Sequence, residues 1–169
     1  MRMLAWVVFG LGLAEAGCGA KKDEPEGDKN KRAAEAAVKA IDALKAGDWD
    51  AAIKLSSEAI KLDPTVADRW WVRGNAYHGK KEYDAAIADF TEALKRDPKH
   101  APSLRERGRS HARKGEHTKA IDDYTEYLKL RPDDPEVYEL RAVSYDAIKD
   151  IPHRTADLRQ AEKLRGKQP

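Results

Sequence analysis

An all-α array of about four helical hairpins in tandem is the fold this sequence predicts, and three observations carry that reading. The first is a 34-residue period. Pro64, Pro98 and Pro132 keep it, as do Ala52, Ala86 and Ala120, each followed by an isoleucine (Ile53, Ile87, Ile121). Gly74 and Gly108 form another column that continues at Ala142; Trp70, Leu104 and Tyr138 form a further one, and Ala59 and Ala93 continue at Tyr127 and Ala161. One column in register arises easily by chance, whereas six or more in phase mark a repeat. The second is that each unit holds two stretches of about 14 residues with apolar positions at helical spacing. In the second unit these are Trp70 and Tyr77, then Ala86, Ile87, Phe90 and Leu94. The third is punctuation: short polar breaks such as Gly79-Lys80-Lys81, and the steps Asp63-Pro64 and Asp97-Pro98. The residue before a proline is pushed out of the helical region, so each such step ends a helix.

Taken in chain order, the first segment stands apart. Arg2 supplies a positive start, Leu4 to Leu13 is an apolar run, and small residues follow at Ala14, Ala16, Gly17, Gly19 and Ala20. A bilayer-spanning helix needs about 20 apolar residues, so this run is too short and reads as an export signal over residues 1–17. Two cleavage sites compete. Ala14-Glu15-Ala16 fits a small-x-small rule with cleavage after Ala16, which gives a soluble exported chain. Ala16-Gly17-Cys18 resembles the lipobox of bacterial lipoproteins, departing from it at Glu15, and the resemblance implies that Cys18 becomes the first mature residue and carries lipid. The place of the sole cysteine, between the apolar run and a polar stretch, favours the second. The implied address is the bacterial envelope, and Gly19, in place of an Asp retention signal, points to the outer membrane. Residues 19–32 hold Gly19, Pro25, Gly27 and many charges but no apolar side chain larger than alanine. Such a segment buries nothing and is expected to be a flexible tether.

Helices are expected at 33–46, 49–62, 67–80, 83–96, 101–114, 117–130, 135–149 and 152–165, pairing into units 33–66, 67–100, 101–134 and 135–166 with a tail at 167–169. Gly74 and Ala86 are small where two helix axes must approach closely. The end units are atypical, as terminal repeats are when one face meets water. The first carries Ala36, Ala40 and Ala43 where the second has Trp70, Gly74 and Tyr77. The last helix has Arg154 where earlier units have alanine, and only Leu158, Ala161 and Leu164 as an apolar stripe.

The stretch Trp70-x2-Arg73-Gly74-x2-Tyr77, then Ala86-x3-Phe90, then Pro98, resembles the tetratricopeptide repeat family, with Arg73 where the family has leucine. The resemblance covers residues 33 to about 166. It implies a right-handed solenoid of paired antiparallel helices that binds peptides or proteins in a concave groove lined by the first helix of each unit. The implied groove residues are Ala37, Ile41 and Leu44; Trp71, Asn75 and His78; Arg105, Arg109 and Ala112; and Glu139, Val143 and Asp146. Their character runs from apolar through aromatic to basic and acidic. Arg105 and Arg109 share one helix face and, with Asn75, resemble part of the carboxylate clamp of some chaperone-binding members. The Lys and Asn that the clamp also needs are Ala37 and Ile41 here.

Two further columns, Arg73/Arg107/Arg141 and Asp89/Asp123/Asp157, are both absent from the first unit, which has Lys39 and Leu55 there. Joint presence and joint absence predict an Arg–Asp pair joining the two helices of each hairpin, with an exposed arginine ladder as the alternative. The remaining chemistry is excluded by composition and pattern. Charged residues make up 37% of the 169, yet the net charge is only +2, which leaves no surplus of positive charge for a dedicated nucleic-acid binder. A single cysteine forms no internal disulfide and no cysteine-based zinc site. His78, His100, His111, His117 and His153 make no HExxH pattern, and there is no glycine-rich phosphate loop and no G-x-S-x-G. No cofactor, no metal and no catalysis are expected. The expected function is a protein-interaction adaptor, tethered to a membrane through its lipid. The alternative is an assembly subunit that self-associates, as a homodimer for example, through its alanine-rich first helix.

Overall fold

A computed structural model describes residues 25–166, and over them the chain is all-α. Eight helices follow in order: α1 (Glu26–Ala46), α2 (Trp49–Leu62), α3 (Ala67–Gly79), α4 (Tyr83–Arg96), α5 (Ala101–Arg113), α6 (His117–Leu130), α7 (Pro135–Ala147) and α8 (Ile151–Arg165). Each odd helix pairs with the next even one, and each hairpin stacks on its neighbour. The helix ends follow from local chemistry. Asp63 and Asp97, each before a proline, are extended at φ −148° and −132° and terminate α2 and α4. Asp48 and Asp150 cap α2 and α8 by accepting from the amides of Ala51 and His153. The turn inside each hairpin needs one left-handed residue, met by Gly47, Lys81, Gly115 and Lys149 at 34-residue spacing.

The expected tether over 18–32 is overtaken by helix: α1 begins at Glu26, seven residues before its expected start at 33. Pro25 stands at the N-cap, and Glu26 and Asp28 lie in the first turn, where negative charge suits the helix dipole. Residues 26–32 stay largely exposed, so propagation from the packed part of α1 sustains them rather than burial. Cys18 and the expected export signal lie outside the described residues. No helix among those described is long and apolar enough to cross a membrane.

The core runs along the stack and is densest between α5, α6 and α7, where Leu104, Ala120, Tyr124, Tyr127, Leu128 and Val137 pack together. Within the second and third hairpins a glycine on the odd helix faces an aromatic ring on the even helix. A Cβ added at Gly74 would stand 2.7 Å from the Phe90 ring, and one at Gly108 would stand 2.7 Å from Tyr124. Trp70 lies at the end of this packing rather than in it. It is only half-buried, donates from Nε1 to Pro64 O at 3.0 Å, and lies under the Arg96 guanidinium at 4.4 Å. Val72, 2% exposed, is the core residue of that turn.

The expected Arg–Asp pairs form. Arg73 donates from Nε and Nη2 to the two carboxylate oxygens of Asp89, each at 2.8 Å, and Arg141 does the same to Asp157. Arg107 reaches Asp123 at 2.6 to 3.2 Å. The third nitrogen reaches back to the preceding hairpin, where Ser57, Thr91 and Thr125 accept from Nη1 at 3.0, 3.2 and 2.9 Å. Each arginine therefore ties three helices together through a planar fork that fixes angles as well as distances.

Candidate functional site

The curvature identifies the inner face. α1 touches α3, α3 touches α5 and α5 touches α7, whereas α2, α4, α6 and α8 do not touch one another. In a bent stack the elements on the inside of the bend are the ones crowded together, so the odd helices line the concave surface.

Two clefts open on this surface. The first, about 250 Å³, lies between α1 and α3 with α2 behind it; Ala37, Ala40, Ile41 and Val72 form its walls and Ser56 its floor. The second, about 290 Å³, lies between α5 and α7, lined by Arg109, Ala112, Arg113, His117, Leu140 and Val143, with Tyr124 behind. Among the expected groove residues, Ala37 and Ile41 therefore line the first cleft and Arg109, Ala112 and Val143 the second. Leu44 is half-buried beyond the first cleft. Trp71 is half-buried between them, and its Nε1 is shielded from solvent without a hydrogen-bond acceptor.

Several expected groove side chains are held by the fold. Asn75 donates from Nδ2 to Trp71 O at 2.8 Å. His78 Nδ1 stands 2.8 Å from Ser110 Oγ and its ring meets Tyr83 edge-on at 5.3 Å. Burial pushes its pKa down; Glu106 opposes this, and Arg109 and Arg113 add to it. Arg105 donates from Nε to Glu106 Oε1 at 3.0 Å and lies 3.9 Å from Glu136, while Arg109 Nη1 is 3.6 Å from Glu106 Oε2. The place where a ligand carboxylate was expected, between Arg105 and Arg109, is thus held by the chain's own Glu106, only 5% exposed. On α7, Glu139 pairs with Arg165 and Asp146 with Arg154.

Sequence reasoning passed over Glu106 and Arg113, and weighed His117 only as a metal or catalytic candidate. Glu106 was legible as a break in a column that reads Val38, Val72, Glu106, Leu140; a carboxylate at an apolar register position has to be paired. Arg113 makes no ion pair among the described residues and continues the face of Arg105 and Arg109 by another turn. His117 Nδ1 is shielded from water without a partner. The second cleft is therefore positively charged, with apolar walls from Leu140 and Val143. No cluster of potential metal ligands occurs among the described residues.

An all-α superhelix of stacked hairpins with an open, ligand-sized concave face defines an interaction solenoid. The chain belongs to the tetratricopeptide repeat family, whose model matches residues 37–101 and 80–135, more than half of its length. Proteins of this family generally mediate protein–protein interaction and are generally non-catalytic scaffolds. The fold is similar to a crystal structure of MamA, at TM-score 0.79 and 21% identity over 84% of this chain and 82% of that one. It is also similar to the first tetratricopeptide domain of Spaghetti (RPAP3) bound to the HSP90 peptide SRMEEVD, at 0.70 and 22% over 71% and 95%, and to the Arabidopsis OM64 tetratricopeptide domain, at 0.68 and 22% over 70% and 98%. No curated protein matches the sequence.

Proposed function

We propose that this chain is a non-catalytic adaptor of the bacterial envelope that takes an extended or helical segment of a partner protein along its concave face. The observation that carries this is the second cleft, where Arg109, Arg113 and His117 converge beside the apolar Leu140 and Val143. That combination suits a carboxylate next to an apolar side chain. The related fold of Spaghetti holds a peptide with three acidic residues, which supports the same choice of ligand chemistry. Because Glu106 holds Arg105 at 3.0 Å and Arg109 only at 3.6 Å, while Arg113 has no ion pair among the described residues, the acid-binding role moves along the face from Arg105/Arg109 to Arg109/Arg113. A guanidinium–carboxylate contact contributes about 1.5–3 kcal/mol. Arg109→Ala with Arg113→Ala should therefore weaken partner binding at least about tenfold while the circular dichroism spectrum stays unchanged. Unchanged affinity would move the binding surface elsewhere.

The anchor is the second part of the reading: removal of residues 1–17, lipid on Cys18, and residence in the outer membrane facing the periplasm. One acyl chain gives only marginal anchoring, so the reading asks for more than one. Cys18→Ser should release the chain from membranes, and an intact mass showing an unmodified start at Gly17 would instead indicate a soluble exported protein. A second reading, self-assembly, draws support from Val38, 59% exposed on the outer side of α1. A concentration-independent monomer in solution speaks for the adaptor, and a stable dimer lost on Val38→Glu speaks for assembly.

A further inference from the structure

The first cleft has an internal template. Column by column, the second hairpin carries Trp71 and Phe90 where the first carries Ala37 and Ser56. The third fills the same two places with Arg105 and Tyr124. The first hairpin thus lacks two large side chains at positions where its neighbours are filled, and the 250 Å³ cleft lies where they would be. Its floor asks for no polar partner, because the buried Ser56 hydroxyl already donates to Ala52 O. Its walls are chiefly methyl and methylene groups, from Ala37, Ala40, Ile41 and Val72 among others; Arg69, whose charge is paired with Asp63, and Asp68 complete the lining. An apolar cavity of about 150 Å³ is enough to hold benzene.

We propose that this cleft receives an aromatic side chain, a tryptophan before others, from a partner segment lying in the concave groove. The proposal rests on the groove-binding reading above and names one of its subsites. The occupant follows from the template: an incoming ring takes the place that Trp71 and Phe90 take one unit along, against the same kind of backbone and on the same face. The cleft is continuous with that face, since α1 and α3 form both. Asp68 on its rim is exposed and bonds His100 through Oδ1 only, so its other oxygen can accept from an indole N–H. An aliphatic side chain fills the volume less well and makes no such bond.

The test uses the mature chain and N-acetyl-tryptophanamide as probe, followed by methyl NMR. The expected result is saturable binding, ring-current shifts confined to Ala37, Ala40, Ile41 and Val72, and at least tenfold weaker binding of N-acetyl-leucinamide. Filling the cleft should abolish these shifts. Ser56→Phe alone would drive a ring into the Ala40 methyl, because its counterparts Phe90 and Tyr124 face glycine. The filling variant is therefore Ala40→Gly with Ser56→Phe, and Ala37→Trp is an independent second. Absence of shifts in the wild type, or equal binding by both filled variants, overturns the proposal. Shifts seen only at dilutions where a wild-type dimer has dissociated make a second copy the occupant and overturn it as well. Shifts that vanish when residues 1–17 are retained assign the cleft to the chain's own leader, with the same consequence. Failure of the groove reading shows differently: peptides selected on the wild-type chain would ignore Arg109→Ala with Arg113→Ala, whatever the tryptophan titration gives.

Discussion

Asp89 shows what the repeated arginine fork does for the fold. It is 4% exposed, and burial lifts its carboxyl above the usual range even though the Arg73 fork opposes the shift. Desolvation of this kind makes a lone survivor of the pair costly, whereas an apolar replacement of both partners is tolerated. Asp89→Ala should therefore cost about 3 kcal/mol in urea unfolding, and Arg73→Leu with Asp89→Leu should cost much less than the two single changes together. The first hairpin already has Lys39 and Leu55 in these places and folds without the pair. Additive losses in the double variant would show that the fork does not act as a unit. His78 gives a second test at this scale. Burial holds its ring below the ordinary imidazole value of about 6.5, with Glu106 pulling the other way and Arg109 and Arg113 reinforcing the shift. A depressed folded pKa means that the unfolded chain takes the proton first, so this contribution is present above pH 6.5 and fades as the pH falls below it. His78→Gln should flatten the loss of stability between about pH 7 and 5.5 relative to wild type, as read by thermal melts across that range.

The elements were legible to different degrees, for physical reasons. Helices ended by Asp-Pro steps came within a residue of their expected bounds, because proline acts locally. Gly74 and Gly108 were legible as close approaches, because a missing side chain at a helical register position has few other uses. Gly108→Ala should cost about 1–3 kcal/mol by driving a methyl into Tyr124. Tyr124→Leu in the same chain should recover part of that, since the fourth unit carries Ala142 and Leu158 in these two places. The early start of α1 escaped notice because residues 26–32 have no apolar period. The left-handed turn residues escaped because two of them are lysines, and only their alignment with Gly47 and Gly115 reveals the conformation. Lys81 and Lys149 at φ 64° bear a Cβ strain of about 1–2 kcal/mol. Lys81→Gly and Lys149→Gly should each raise stability by up to about 1 kcal/mol, the freedom of unfolded glycine taking back the rest. The Ser57, Thr91 and Thr125 acceptors were silent in the sequence because a hydroxyl column looks like any solvated helix face. Of the site, the face was legible and its detail was not: Arg109 lines the second cleft, while Glu106 was hidden beside two arginines that drew attention as ligand groups.

At the scale of the whole molecule, stability in a stacked array is a sum of hairpin terms and junction terms, each felt only by neighbours. Those terms are unequal here. The middle of the chain has the densest apolar packing, around Leu104, Tyr124, Tyr127 and Val137. It also has forks on both sides, since Arg107 binds Thr91 and Asp123, and Arg141 binds Thr125 and Asp157. The first hairpin has no fork between its own helices, a cleft in place of two rings, and only alanines among the buried residues of α1. The last helix buries only Asp157 and Ala161 and leaves Leu158 exposed. Opening should therefore begin at both ends and reach the centre last. Native-state amide exchange should show the strongest protection in α5 and α6, weaker protection in α3 and α7, and the weakest in α1 and α8. The consequence for function is specific to each end. The first cleft lies on the hairpin that opens most easily, so a ligand seated there should slow exchange in α1 and α2 by the mass-action factor 1 + [L]/Kd. A ligand confined to Arg109 and Arg113 should leave α1 unchanged. Uniform exchange across all eight helices would mean that the forks couple the array into one cooperative unit, and that the ends are no weaker than the middle.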